Sequence, residues 1–105
     1  MAGVDTKPKT RARSGRFPDR LCAALTEGLG IAGIRGAAIT AKRIPPTRLH
    51  RVTIEAKAFA PLGFSERQDL VWRIIDRAFS PEDQLRISMI LTLTPEEAQN
   101  TPEPQ

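Results

Sequence analysis

Cysteine, histidine and aromatic residues are nearly missing from this chain, which has one cysteine, one histidine, one tryptophan and no tyrosine. A lone thiol, Cys22, excludes an internal disulfide and a cysteine-based structural zinc site. A nucleophile–base pair would have to be built from Cys22 and His50 alone. Cys22 lies in an alanine-rich segment, where a cysteine reads as a small buried hydrophobe. No constellation of acid, base and nucleophile is left, so the expectation is a protein that is not an enzyme. His50 is the one metal-ligand candidate, and at a loop or strand edge it reads first as a surface polar group. Long apolar runs are also lacking. None approaches the ~20 residues that span a bilayer, and the N-terminus has no apolar signal core. A membrane is therefore not an expected partner, and the expected location is the cytoplasm or an organelle interior. With 105 residues there is room for one domain with a thin core and little room for a deep pocket.

What is plentiful is positive charge, and it is unevenly placed. The formal net charge is +4. Lys7, Lys9, Arg11, Arg13 and Arg16 gather in residues 1–16 against Asp5, whereas residues 95–105 carry Glu96, Glu97 and Glu103 and no base. Neither end shows apolar periodicity, so residues 1–16 read as a disordered basic arm and 99–105 as a disordered tail around a domain at 17–98. Between Arg35 and Arg51 the chain holds Lys42, Arg43 and Arg48 and no acid. This stretch brackets Pro45-Pro46. It reads as a surface for phosphate or an acidic protein, or equally as a solvated loop. No aromatic residue is interleaved with these bases, which argues against a stacking platform for single strands.

Hydrophobic spacing sets the element order. Phe17–Gly28 reads as a short helix, with Pro18 in its first turn, Asp19 complementing the dipole, and Leu21, Ala24, Leu25 and Gly28 on one face. Gly28, Gly30, Gly33 and Gly36 should break it and turn the chain into a strand at 37–43. In His50–Ala58, Val52, Ile54, Ala56 and Ala58 alternate with Arg51, Thr53, Glu55 and Lys57, the pattern of a strand with one wet face. Ser65, with Gln68 three residues on, reads as a capping box opening a helix with the apolar stripe Val71, Ile74, Ile75 and Ala78. On that helix Glu66, Asp69 and Asp76 alternate with Arg67, Arg73 and Arg77, the composition of a solvated face. Ser80-Pro81-Glu82-Asp83 caps a further helical turn. Leu85, Ile87, Met89, Leu91 and Leu93 alternate with Arg86, Ser88, Ile90 and Thr92 in a last strand. Thr94-Pro95-Glu96-Glu97 then opens a turn or two of helix. The economical packing is a three-stranded mixed sheet with helices on one face and the other face polar. Gly28-Leu29-Gly30-Ile31-Ala32-Gly33 matches the G-x-G-x-x-G spacing, but here the glycines close a helix rather than follow a strand, so they read as a turn and not a nucleotide site.

Arg67-Gln68-Asp69-Leu70-Val71-Trp72 and Thr92-Leu93-Thr94-Pro95-Glu96-Glu97 resemble the BolA family, with its R-H-R-x-V-Y-like helix opening and its H-A-L-x-x-x-T-x-T-P-E-E-like last strand. The resemblance spans roughly residues 17–98. It implies a class II KH-like α/β fold in the order α-β-β-α-α-β, the order already read from the spacing. It also implies a non-enzymatic adaptor or regulator acting through protein partners, a monothiol glutaredoxin among them. Independently of the resemblance, a monomer or weak dimer is expected. The departures fall on the ligands. Gln68 and Asp69 stand where the family has histidine and arginine. Arg86 stands where the family has its main histidine ligand for a [2Fe–2S] cluster shared with the glutaredoxin. Arginine has no lone pair to donate, so no cofactor is expected. The second ligand comes from the loop between the first two strands, where His50 is the one imidazole. KH-like folds contact nucleic acid through a G-x-x-G loop between helices, and the corresponding Phe79-Ser80-Pro81-Glu82 has no glycine. The alternative function is nucleic-acid association through the arm and basic loop. Expected contacts for either partner are Arg35, Lys42, Arg43, Arg48, His50, Arg51, Arg67 and Arg86.

Overall fold

The computed structural model describes residues 16–100, and the expected disorder of residues 1–15 and 101–105 lies outside the described residues. The elements are α1 (Phe17–Ile31), β1 (Ala38–Arg43), β2 (His50–Glu55), a 3-10 turn (Lys57–Phe59), α2 (Phe64–Ala78), α3 (Pro81–Gln84), β3 (Ile87–Leu93) and α4 (Pro95–Asn100). Among the described residues the fold is α+β: four helices and a three-stranded mixed sheet in the order β1-β2-β3. β1 pairs antiparallel with β2, and β2 parallel with β3. α1 packs on β1 and on α2, and α2 packs on β3, so one face of the sheet carries the core. That core is Leu21, Leu25 and Leu29 of α1, Val71 and Ile75 of α2, Val52 and Ile54 of β2, and Phe59 from the 3-10 turn. Among the described residues no helix is long and apolar enough to cross a membrane.

Several local expectations are corrected by packing. α1 does not stop at Gly28 but runs to Ile31. A Cβ at Gly28 would lie 2.5 Å from Ile74 Cγ2, so this glycine lets α1 and α2 approach closely rather than ending a helix. The turn comes later, at Gly33 and Gly36, which both adopt positive φ. α2 is not capped by Ser65. Its N-cap is Gly63, whose N–H donates to the Glu66 carboxylate at 2.8 Å. β2 ends at Glu55, because the 3-10 turn bends the chain to bury Phe59. α4 includes Gln99 and Asn100, which the spacing left in a tail. The caps expected at Ser80 and Thr94 are present: Asp83 N–H donates to Ser80 Oγ, and Thr94 and Glu97 cap each other reciprocally.

The phase of β3 is the largest correction. The register runs His50 to Ile87 and then Arg51 to Met89, so Ser88 is an extra residue in a bulge. A one-residue insertion turns every later side chain to the opposite face. Ile87 is buried, but beyond the bulge Ile90 and Thr92 face the core, and Met89, Leu91 and Leu93 lie on the opposite face, away from the core that the described helices cover. The bulge is pinned by Ser88 Oγ, which donates to His50 O at 3.2 Å. Thr92, only 2% exposed, is tolerated in the core because Gln68 Nε2 donates to its Oγ1 at 3.3 Å. The open face is therefore polar on β1 and β2 but apolar on β3.

Candidate functional site

Arg67 was expected on a solvated helix face and among the partner contacts; it is instead 7% exposed, inside the protein. Its Nε donates to Phe59 O at 3.1 Å and Leu62 O at 3.0 Å, and its Nη1 donates to Thr92 O at 2.9 Å. Both terminal nitrogens reach the Glu97 carboxylate, at 2.7 and 3.2 Å. One planar, permanently charged group thus joins the 3-10 turn, α2, β3 and α4, a geometry suited to guanidinium and not to lysine. The hydrogen bond from Arg67, and next that from the Thr94 N–H, holds the Glu97 carboxyl below its ordinary range. Beside Arg67, Gln68 Nε2 donates to Ile90 O at 3.0 Å. Because Leu93 O accepts from Ala56 N–H of the β2 chain, alternation turns the carbonyls of Ile90 and Thr92 to the outer edge of β3. Arg67 and Gln68 therefore occupy the edge that another strand would use.

At the opposite end of the strands lies an aromatic and cationic cluster. Phe17, the first residue of α1, packs its ring 5.2 Å from His50 and 5.7 Å from Phe79. Arg86 lies over the Phe17 ring at 5.2 Å, and Arg20 lies 5.6 Å from both phenyl rings. Arg20 also meets Asp83 at 3.7 Å, tying α1 to α3. His50 is not a surface group: it is 6% exposed, and its Nδ1 has no hydrogen-bond partner among the described residues. These side chains do not fit an iron–sulfur cluster, since the imidazole is enclosed by Phe17 and the guanidinium of Arg86 has no lone pair. No group of three or more His, Cys, Asp or Glu among the described residues could hold a metal ion. Cys22 is half-buried on α1, its thiol 3.8 Å from Ile39 O, and burial, followed by the charge of Asp19, pushes its pKa up. That is the opposite of what an activated nucleophile needs.

Around this cluster the fold gathers bases that are distant in sequence. The β1–β2 loop is built by Arg43 Nη1 donating to Thr47 O, Thr47 Oγ1 donating to Ile44 O, and Leu49 N–H donating to Thr47 Oγ1. This loop leaves Lys42, Arg43 and Arg48 exposed at the start of β2. Arg51 follows them on the open face, Arg86 precedes β3, and α1 begins here, so Arg16, through which the basic segment 1–15 joins the fold, is at this pole too. The other pole carries more acid than base: Glu55 ends β2, Glu66 opens α2, and Glu96 and Glu97 open α4, with Arg67 paired to Glu97 and Lys57 nearby. Of the expected contacts, then, Lys42, Arg43, Arg48, Arg51 and Arg86 are brought together. Arg67 is taken into the interior. Arg35 lies apart, beside a cleft of about 620 Å³ lined also by Thr26, Glu27, Ile31 and Ile34 at the far end of α1. Arg20, which the spacing did not single out, belongs to the cluster; its place on the α1 turn after Phe17 was the signal available. A second cleft of about 500 Å³, at the acidic pole, is lined by Lys57, Ala60 and the Thr94–Glu97 turn.

Comparison with family models, with curated proteins and with solved structures returns no match.

Proposed function

We propose that this chain is a non-enzymatic, BolA-like binding module whose basic pole engages the phosphates of a nucleic acid. The observation that carries the reading is the pole itself. Bases from the start of α1, the β1–β2 loop and the start of β3 converge at the end of the fold where Arg16 lies, and there they outnumber Asp19, Glu82 and Asp83, while Glu55, Glu66, Glu96 and Glu97 lie at the other end. Such a separation orients the molecule toward a polyanion and supplies contacts without base specificity. The α-β-β-α-α-β order and the Thr94–Glu97 exit support the BolA-like build. With Arg86 in place of the family's ligand histidine, the module works without a cluster of its own. Each phosphate contact should contribute about −0.9 to the slope of log K against log salt on duplex DNA. Fluorescence anisotropy with labelled duplex and single-stranded oligonucleotides tests this. Arg43→Gln/Arg48→Gln should flatten the slope by about 2, while Arg35→Gln leaves it unchanged. Binding that is absent, or indifferent to salt, overturns the reading.

A second reading, a protein adaptor with a partner such as a monothiol glutaredoxin, is supported by the apolar stripe that β3 leaves on the open sheet face. Its test is a pull-down of the tagged chain split into nuclease-treated and untreated halves. A defined protein retained in both favours the adaptor, and one lost with nuclease favours the polyanion reading.

A further inference from the structure

The open face of the sheet is self-complementary. Its side chains form three rows across the strands: Lys42, Arg51 and Met89; Thr40, Thr53 and Leu91; Ala38, Glu55 and Leu93. Met89 is 45% exposed, and Leu91 and Leu93 are half-buried and lie outside the core cluster. We propose that this face docks a second copy of the same chain, about a two-fold axis lying along the Thr40–Thr53–Leu91 row.

Rotation about that axis keeps each strand over its own counterpart and reverses its direction. Leu91 then meets Leu91, and Met89 meets Leu93 of the second copy, so the β3 stripe covers itself. The same operation sets Arg51 over Glu55 of the second copy and Glu55 over its Arg51. One rotation thus satisfies the apolar and the charged positions together, as an isologous interface requires. Parallel stacking does not: it sets Arg51 over Arg51 and Glu55 over Glu55. Facing sheets whose strand directions agree within about 30° are a common packing. The edges offer less. On β3 Arg67 and Gln68 take the outward carbonyls, and on β1 the Cys22 thiol contacts Ile39 O.

The patch is small. Three strands about 4.8 Å apart and five residues at about 3.3 Å each give roughly 14 by 16 Å, well below the ~800 Å² per partner of a standard interface. The dimer is therefore a weak one, forming on the order of 0.1–1 mM.

Sedimentation equilibrium on the full chain, freed of nucleic acid, tests this across that concentration range. Arg51→Glu and Glu55→Arg should each weaken association by at least about tenfold, because each sets like charges face to face. The double reversal Arg51→Glu/Glu55→Arg should restore it. An equimolar mixture of the two single variants should associate more tightly than either alone. Circular dichroism of each variant confirms that it is folded. A chain that stays monomeric at 1 mM overturns the proposal, as does association that neither reversal weakens or that the double reversal fails to restore.

Discussion

Two glycines in the same helix should respond to alanine with opposite signs. A Cβ at Gly28 would lie 2.5 Å from Ile74 Cγ2, 2.8 Å from Cγ1 and 3.0 Å from Cδ1. Cγ1 and Cγ2 are bonded directly to the branched Cβ, and a β-branched residue on a helix has one strongly preferred χ1, so Ile74 has little room to turn aside. Either α1 moves off α2 or the side chain leaves its rotamer, an overpacking cost of about 1–3 kcal/mol. Against this stands the gain of about 0.5–1 kcal/mol from replacing glycine inside a helix. Gly28→Ala should therefore lose about 1 kcal/mol at the middle of these ranges and at most about 2.5 kcal/mol. At Gly30 no atom of the described residues lies within 4 Å of the added Cβ, so Gly30→Ala keeps only the gain and should be more stable than wild type by about 0.5–1 kcal/mol. Urea unfolding followed by far-ultraviolet circular dichroism measures both, with an unchanged m-value expected. Adding Ile74→Ala to Gly28→Ala should cost about 1 kcal/mol less than the two losses summed, since the clash is gone. A Gly28→Ala protein as stable as Gly30→Ala would refute the helix packing and everything placed by it.

Arg67→Met should lose about 3 kcal/mol, since three main-chain carbonyls lose a charged donor in the interior. It should also change the pH response: the folded pKa of Glu97 is depressed, so its contact stabilises above the ordinary glutamate value of about 4.3 and is lost as pH falls through the lower folded value. Thermal unfolding from pH 7 to pH 3 should thus show Glu97→Gln less stable than wild type at neutrality and converging with it in acid. His50→Leu should keep stability within about 1 kcal/mol of wild type or raise it, because it removes a buried nitrogen that has no partner among the described residues. A loss above about 2 kcal/mol in denaturant titration would mean that the imidazole is held by a partner.

The sequence made the wet face of β2 legible, because Arg51, Thr53 and Glu55 alternate without interruption against Val52 and Ile54. The caps at Ser80 and Thr94 were legible for the same reason: they depend on neighbours three residues away. What stayed hidden depends on partners distant in the chain. Gly28 reads as a helix breaker until Ile74 is seen against it. Ser88 reads as one more polar position until its pairing with β2 shows the bulge, and the unbroken alternation from Leu85 to Leu93 then points the wrong way. Arg67 shares its spacing with Arg73 and Arg77, and only the carbonyls of Phe59, Leu62 and Thr92 set it apart. The basic pole was half legible. Lys42, Arg43, Arg48 and Arg51 stand close together in the chain, but Arg86 and Arg16 join them only through the parallel pairing of β2 with β3 and the contact of Phe17 with His50.

Arg51 links the two proposals, because it belongs both to the basic pole and to the first row of the open face. In the two-fold dimer it lies over Glu55 of the second copy, and its charge is spent there rather than on phosphate. A polyanion that draws on Arg51 therefore favours the monomer, and by linkage self-association weakens polyanion binding by the same factor. Antiparallel stacking also sets the basic pole of one copy beside the acidic pole of the other, so the dimer presents a weaker field at each end than the monomer does. The separation of charge that would draw the chain to a nucleic acid is thus the same separation that holds two chains together. Salt should loosen both contacts. The phosphate contact should fall off more steeply, since it releases condensed counterions and the two Arg51–Glu55 pairs do not.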